Sequence, residues 1–226
     1  MNYYISYATN NWMKSQALAE SKAYEFGADK VINYTPKDID RGFIQDNIKI
    51  LSNKKGGGLW LWKPYIILKT LHSMNYGDKI IYCDSGMCAI DNLDYMFDLV
   101  SDSDIALFQV HEKKIKDWTH ERCLEIFECN SEIKEKEQVC GAPQVYKKTN
   151  NTLNFVRQML KSCKDYQAIS DFGDPNHRHD QSILSILAHQ RGLEIYRDPS
   201  QWGNLFHREN SKYPQIFNLH RKKLTN

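Results

Sequence analysis

Three places in this 226-residue chain combine residue types that can do chemistry. The first is Asp84, which ends the apolar run Lys79-Ile80-Ile81-Tyr82-Cys83 and is followed by Ser85 and Gly86. A carboxylate at the end of a buried strand can hold a cation or the hydroxyls of a ribose, and Gly86 lets a ligand approach the backbone closely. The plainer reading is an aspartate that caps its own turn. The second is Lys63, beside Pro64 at the start of a helix, where free backbone N–H groups favour anions. A cation there would add to the attraction for an anionic ligand; otherwise Lys63 is a surface lysine next to a tryptophan. The third is His177-Arg178-His179-Asp180-Gln181, just ahead of a helix. It reads either as a helix cap with two surface histidines or as a polar cluster facing a ligand. Two histidines at i, i+2 on a loop are thin support for a metal site.

The elements that must position these residues alternate at first. Tyr3–Ala8 reads as a strand, Ser15–Phe26 as a helix stopped by Gly27, and Lys30–Tyr34 as a second strand closed by Thr35-Pro36. Ile39–Ser52 reads as a weaker helical stretch, and Gly56-Gly57-Gly58 as a flexible loop over the ligand. The last is no Walker motif, because the GxxxxGK[ST] spacing is absent. A helix from Pro64 to Asn75 precedes the Lys79–Cys83 strand. The order β-α-β-α-α-β predicts an α/β sheet, mixed but mainly parallel, with flanking helices. Ligands of such sheets bind beyond the carboxyl ends of the strands, so Thr9, Tyr34 and Asp84 should share one edge. Farther on, Ile105–Val110 and Gln144–Tyr146 read as strands, and Thr152–Cys163 and Gln181–Gln190 as helices. The charge run Glu132–Glu137 reads as a solvated turn. With no repeat and no Pro/Gly/Ser-rich linker, residues 1–226 read as a single domain.

Composition narrows the class. Thirty basic against 28 acidic residues leaves a net charge of +2, which gives no basis for nucleic-acid or membrane binding through overall charge. Thirteen Tyr, nine Phe and five Trp are enough for a large core, which excludes disorder as the main state. No apolar run reaches the roughly 18 to 20 residues of a membrane helix, and Met1–Thr9 does not read as a secretory signal. Six cysteines without a CxxC pair read as reduced thiols. The expected location is therefore cytoplasmic, extending to the membrane periphery if the basic tail His220-Arg221-Lys222-Lys223 touches anionic lipid; a solvated tail is the preferred reading.

The segment from Tyr82 to Phe97, Tyr-Cys-Asp-Ser-Gly-Met-Cys-Ala-Ile-Asp-Asn-Leu-Asp-Tyr-Met-Phe, resembles a signature of GT-A glycosyltransferases, in particular the glycogenin-like family 8. There a buried strand leads to Asp-x-Asp and then to an Asn/Asp-Leu-Asp-x-x-Phe helix start. The segments Gly58–Leu71, His177–Ser185 and Arg197–Asn204 resemble motifs of a less characterised bacterial and viral GT-A-like set, so the likeness spans most of the chain. The opening Ile5–Thr9 fits the same set. What the resemblance implies is a nucleoside-diphosphate-sugar donor, a glycan, lipid-linked or protein acceptor, and a retaining outcome. The donor-binding residues are then Ala8, Thr9, Lys63, Asp84, Ser85, Gly86 and His179. Asp180 and Gln181 match the Asp-Gln pair beside the donor sugar and are the catalytic candidates. Asp84 is the candidate metal ligand for Mn²⁺ or Mg²⁺, but Gly86 stands where the family has its second Asp. Trp118 and Trp202 offer aromatic faces to an acceptor sugar, with core packing as the competing account. His207 is set against the C-terminal histidine that closes over the diphosphate in family 8. Two other readings use the same residues. One is a metal-dependent phosphohydrolase with Asp84, His177, His179 and Asp180 as ligands. The other is a non-catalytic sugar- or nucleotide-binding module.

Overall fold

Five successive buried residues, Tyr3 to Tyr7, place β1 (Asn2–Tyr7) inside a sheet rather than at its edge. The computed structural model describes residues 1–222 and pairs β1 in parallel with β2 (Lys30–Tyr34) on one side and β3 (Lys79–Tyr82) on the other. A small antiparallel ladder follows, formed by β4 (Met87–Ala89) with a segment near the C-terminus. Beyond it come β5 (Ile105–Lys114), β6 (Glu137–Val139), β7 (Gln144–Lys147), β8 (Ile195–Tyr196) and β9 (Phe217–Leu219), the partner of β4. The central sheet runs β2-β1-β3-β7-β5-β6, with β8 paired to β5. Because β7 is antiparallel to both β3 and β5, the strands β1, β2, β3, β5 and β8 all run the same way.

The period of two in the strands sorts the core into two faces. Tyr3, Ile5, Tyr7, Ile80 and Tyr82 join one cluster, while Tyr4, Ile81 and Cys83 join the other. Against the first face pack α2 (Trp62–Ser73), α3 (Asn150–Cys163) and α4 (Asp180–Gln190), through Ile66, Phe155, Met159 and Ile183 among others. Against the second packs α1 (Met13–Glu25), through Ala19 and Ala23. Each large apolar side chain buried here contributes about 1.5–3 kcal/mol. None of the helices in the described residues is long and apolar enough to cross a membrane.

Several elements differ from the reading of the sequence. Gly56-Gly57-Gly58 is not an open loop but a tight helical turn, Gly56–Leu59, with left-handed residues through Trp60. Trp62 Nε1 donates to the Gly56 carbonyl at 2.8 Å, and a Cβ on Gly56 would meet the Trp60 ring at 2.3 Å, so glycine is required there. The charge run is solvated, but it forms the short helix Ser131–Glu135 and then enters β6. Strand β5 runs four residues past Val110, to Lys114, because β6 pairs with its far end. All six cysteines are free. Lys223 lies outside the described residues.

Candidate active site

The carboxyl ends of the parallel strands β1, β2 and β3 meet at one edge. Ala8 N donates to the Tyr34 carbonyl at 3.0 Å, and Ser85 Oγ donates to the Tyr7 carbonyl. These two bonds tie the β1 end to the β2 end and to the Asp84 loop. Ala8 and Ser85 are buried by them, whereas Thr9 is exposed. The Tyr7 ring stacks on Trp62 with centroids 3.8 Å apart, which fixes the first turn of α2 against this edge.

That turn carries Lys63, which is no surface residue: its side chain is 3% exposed. Its Nζ lies 3.0 Å from Asp180 Oδ2 and 3.8 Å from Asp84 Oδ1, and it donates to the Gly141 carbonyl at 3.2 Å. Burial pushes the Lys63 ammonium down, but Asp180 and Asp84 outweigh it and hold the group above its ordinary value. Burial pushes the Asp180 carboxyl up to about 6, against the pull of Lys63. Tyr82 donates its phenol proton to Asp84 Oδ1 at 2.5 Å, and the Tyr82 ring lies 5.3 Å from Lys63 Nζ. Asp84 itself stays 46% exposed and so presents an open side to a ligand.

Asp180 opens α4 directly after the N-cap residue His179, whose side chain makes no capping bond; the Asp180 carboxylate is turned onto Lys63 and is almost fully buried. Gln181 is the half-buried member of the pair. Its Nε2 donates to the Val139 carbonyl at 2.8 Å, and its Oε1 lies 3.5 Å from where a Cβ on Gly141 would stand. A side chain at position 141 would also press on Lys63 Nζ, at 3.2 Å. Lys63, Asp84 and the consecutive Asp180 and Gln181, from three distant stretches of chain, are thus brought together, with Lys63 and Gln181 held on the Gly141 and Val139 carbonyls.

His179 points into a separate cluster. Its backbone has φ 54° and ψ −120°, rare for a residue with a Cβ. Its Nδ1 bonds the Ile169 carbonyl at 2.8 Å, and its ring lies 5.4 Å from Trp60. The His177 ring is 5.3 Å away, and His120 lies 4.2 Å beyond that. Burial, with His120 and His179 adding to it, pushes His177 down to about 3, and burial also lowers His179. A cavity of about 530 Å³ adjoins this cluster, lined by His120, Asp171, Phe172, Tyr166 and Arg122 among others. Trp118 lies under the Arg178 guanidinium at 4.5 Å, and its carbonyl accepts from Arg178 N and Ser182 Oγ, so it buttresses the start of α4. Trp202 projects from the turn Gln201–Gly203 and is 60% exposed. His207 lines a second cavity, of about 460 Å³, together with Arg197, Phe206 and Tyr213.

The same architecture occurs in solved glycosyltransferases. The galactosyltransferase LgtC, solved in complex with donor and acceptor sugar analogs, is 13% identical and superposes with a TM-score of 0.53 over 98% of this chain and 87% of its own. Mouse xyloside xylosyltransferase 1 is 8% identical, with a TM-score of 0.55 over 98% of each chain. A glycosyltransferase involved in glycosylating the major capsid of PBCV-1 is 9% identical, with a TM-score of 0.54 over 97% of this chain and 94% of its own. The fold is that of GT-A glycosyltransferases. No family model and no curated protein sequence matches the chain.

Within this GT-A fold the residues present do not fit a resident metal. No group of three or more His, Cys, Asp or Glu among the described residues could hold an ion. Asp84 Oδ1 is engaged by Tyr82, Asp180 by Lys63, and position 86 has no side chain. His177 and His179 lie in the imidazole cluster, where Asp171 rather than Asp84 or Asp180 is the carboxylate near His179, so the four-residue ligand set of a phosphohydrolase is not assembled. Tyr82 and the Gly141 carbonyl were not marked as site residues by their sequence. Tyr82 looked like any strand residue, although its place two positions before Asp84 puts both on one face of an extended chain. For Gly141 there was no local signal, because Lys63 is 78 residues away.

Proposed function

We propose that this chain is a glycosyltransferase that moves a sugar from a nucleoside-diphosphate donor to a hydroxyl acceptor. The observation that carries the reading is the buried Lys63 between Asp84 and Asp180, at the carboxyl ends of parallel strands in a GT-A fold. This edge is where such sheets take ligands. In this reading the loop Ala8-Thr9 and the Ser85-Gly86 backbone shape the nucleotide site, and the open side of Asp84 accepts ribose hydroxyls. Residues 1–100 form the nucleotide-binding half and residues 101–226 the sugar and acceptor half. The ion pair Lys63–Asp180 joins the two.

Asp180 acts through Lys63 as a positioning residue, since its carboxylate is 2% exposed. Gln181 is the polar group that reaches toward the donor sugar, anchored through its amide nitrogen so that its oxygen keeps one direction. That arrangement suits a retaining transfer, in which a polar group lies beside the anomeric carbon rather than a general base on the acceptor side. Trp118 and Trp202 remain the proposed acceptor contacts, and a cytoplasmic setting the proposed location.

The test is donor turnover by the purified chain with a panel of UDP- and GDP-sugars. One donor should be consumed, and Asp84→Asn should lower its turnover at least about tenfold, the worth of a charge-assisted hydrogen bond. A chain that neither binds nor consumes any donor is not a glycosyltransferase of this kind.

A further inference from the structure

Lys63 is committed to its own neighbours: one ammonium faces two carboxylates, and it lies within bonding distance of Asp180 and the Gly141 carbonyl. The strand-end edge is therefore net negative before any ligand arrives, whereas a nucleotide diphosphate brings more negative charge. Coulomb repulsion between them has to be offset by a cation. A divalent ion is the usual means in a phosphate site, and the side chains here do not assemble one. A side chain at position 86 would be crowded as well. A Cβ there would stand 3.1 Å from the Trp12 ring and 3.2 Å from the Arg221 Cα.

The space beside Gly86 is taken by the returning C-terminal segment. Strand β9 pairs with β4, and Gln201 holds Leu219 from both sides: its Nε2 donates to the Leu219 carbonyl and its Oε1 accepts from Leu219 N, each at 2.9 Å. Arg221 N donates to the Gly86 carbonyl at 3.0 Å, and Ser15 Oγ donates to the Lys222 carbonyl at 2.7 Å. Arg221 takes a left-handed φ of 52°, which a residue with a Cβ adopts only when its surroundings hold it there. It is exposed, and the carboxylate that it acts on is Asp198, which it pulls down against the rise from burial. Burial raises the Cys140 thiol, with Asp198 and Asp84 adding to that rise and Arg221 opposing it.

We propose that this chain binds its nucleotide diphosphate without a divalent cation, with the Arg221 guanidinium in the place a metal would take. The inference rests on the glycosyl-transfer reading. A planar guanidinium offers paired donors that match phosphate oxygens, so one arginine supplies both charge and direction. The Gly86 carbonyl and the β4–β9 ladder fix the backbone from which it extends.

The experiment is calorimetric titration of the full chain with UDP and with GDP, in EDTA and in MnCl₂. The nucleotide that binds should do so with Kd values within about twofold in the two buffers. Arg221→Gln should weaken that diphosphate at least about tenfold, while binding of the matching nucleoside changes less than about twofold. Arg221 is exposed, so the variant folds, and an unchanged melting temperature without ligand verifies it. Binding that needs Mn²⁺ overturns the proposal and leaves the glycosyl-transfer reading standing. Equal diphosphate binding by Arg221→Gln overturns the proposal too. Failure of both nucleotides in both buffers overturns the reading and the proposal together.

Discussion

Asp180 and His179 are consecutive, yet they belong to buried clusters that treat charge in opposite ways. Asp180 faces Lys63 at 3.0 Å, and the pair keeps an ammonium charged inside the protein. His179 faces His177 and Trp60, and there burial drives the imidazoles toward their neutral forms. The difference is the strength of the partner: Lys63 has carboxylates at 3.0 and 3.8 Å, whereas Asp171, 3.9 Å from His179 Nε2, is outweighed by burial. A buried ion survives only beside an opposite charge, while neighbouring bases of one kind suppress each other's protonation. The backbone turn at His179, with its positive φ, is what lets one chain segment serve both clusters. The two also face different ways: Asp180 is turned onto Lys63, and His179 onto the Ile169 carbonyl and Trp60.

The largest expected effect comes from breaking the charged cluster. Lys63→Met leaves Asp180 buried without its cation, and should cost about 3–5 kcal/mol in denaturant unfolding. His177→Gln removes a neutral ring and should cost about 1–2 kcal/mol less than that. Equal losses would mean that the two clusters do not differ as described.

A sharper comparison uses pH, because the clusters have opposite signs over one window. Asp180 has a folded pKa of about 6, above the unfolded value, so its contribution is full below about 4 and is lost as pH rises toward 6. His177 has a folded pKa of about 3, below the unfolded value, so its contribution is full above about 6.5 and is lost as pH falls. Between pH 4 and 6.5, Asp180→Asn should therefore be more acid-labile than the parent and His177→Gln less, by roughly 2 kcal/mol each. Melting temperatures measured across that range decide it, and parallel curves for the two variants would end the distinction.

Smaller effects test the edge of the site. Tyr82→Phe removes the proton donated to Asp84 Oδ1 and should cost about 1 kcal/mol in stability, with nucleotide binding weakened several-fold. Trp202→Ala, at a 60% exposed position, should change stability by less than about 0.5 kcal/mol. A rise in acceptor KM without a change in melting temperature would then identify Trp202 as an acceptor contact, and an unchanged KM would leave it a surface residue.

Much of the fold was legible in the sequence, and for local reasons. The β1, β2 and β3 strands, α1, α2, α3 and α4 lie where apolar period, helix formers and Gly or Pro punctuation placed them. The elements that were misread depend on distant partners. The extra length of β5 exists because β6 covers it, and the Gly56–Leu59 turn is closed by Trp60 and Trp62. The candidate site divides along the same line. Asp84 and Lys63 announced themselves by standing at the ends of a strand and the start of a helix. The depth of Asp180, the isolation of His179 and the commitment of Lys63 to Gly141 had no local signal, because burial is a property of what packs on top.

The sequence by itself determined which residues form the parallel strands and where their carboxyl ends fall, since periodicity and turn chemistry act over a few neighbouring residues. Only the tertiary structure decided which charges meet. Electrostatic pairing falls off with distance in space rather than along the chain. It took the packing of both α2 and α4 on α3, and the return of the C-terminal strand to Gly86, to make Lys63 an internal counterion and bring Arg221 beside Gly86.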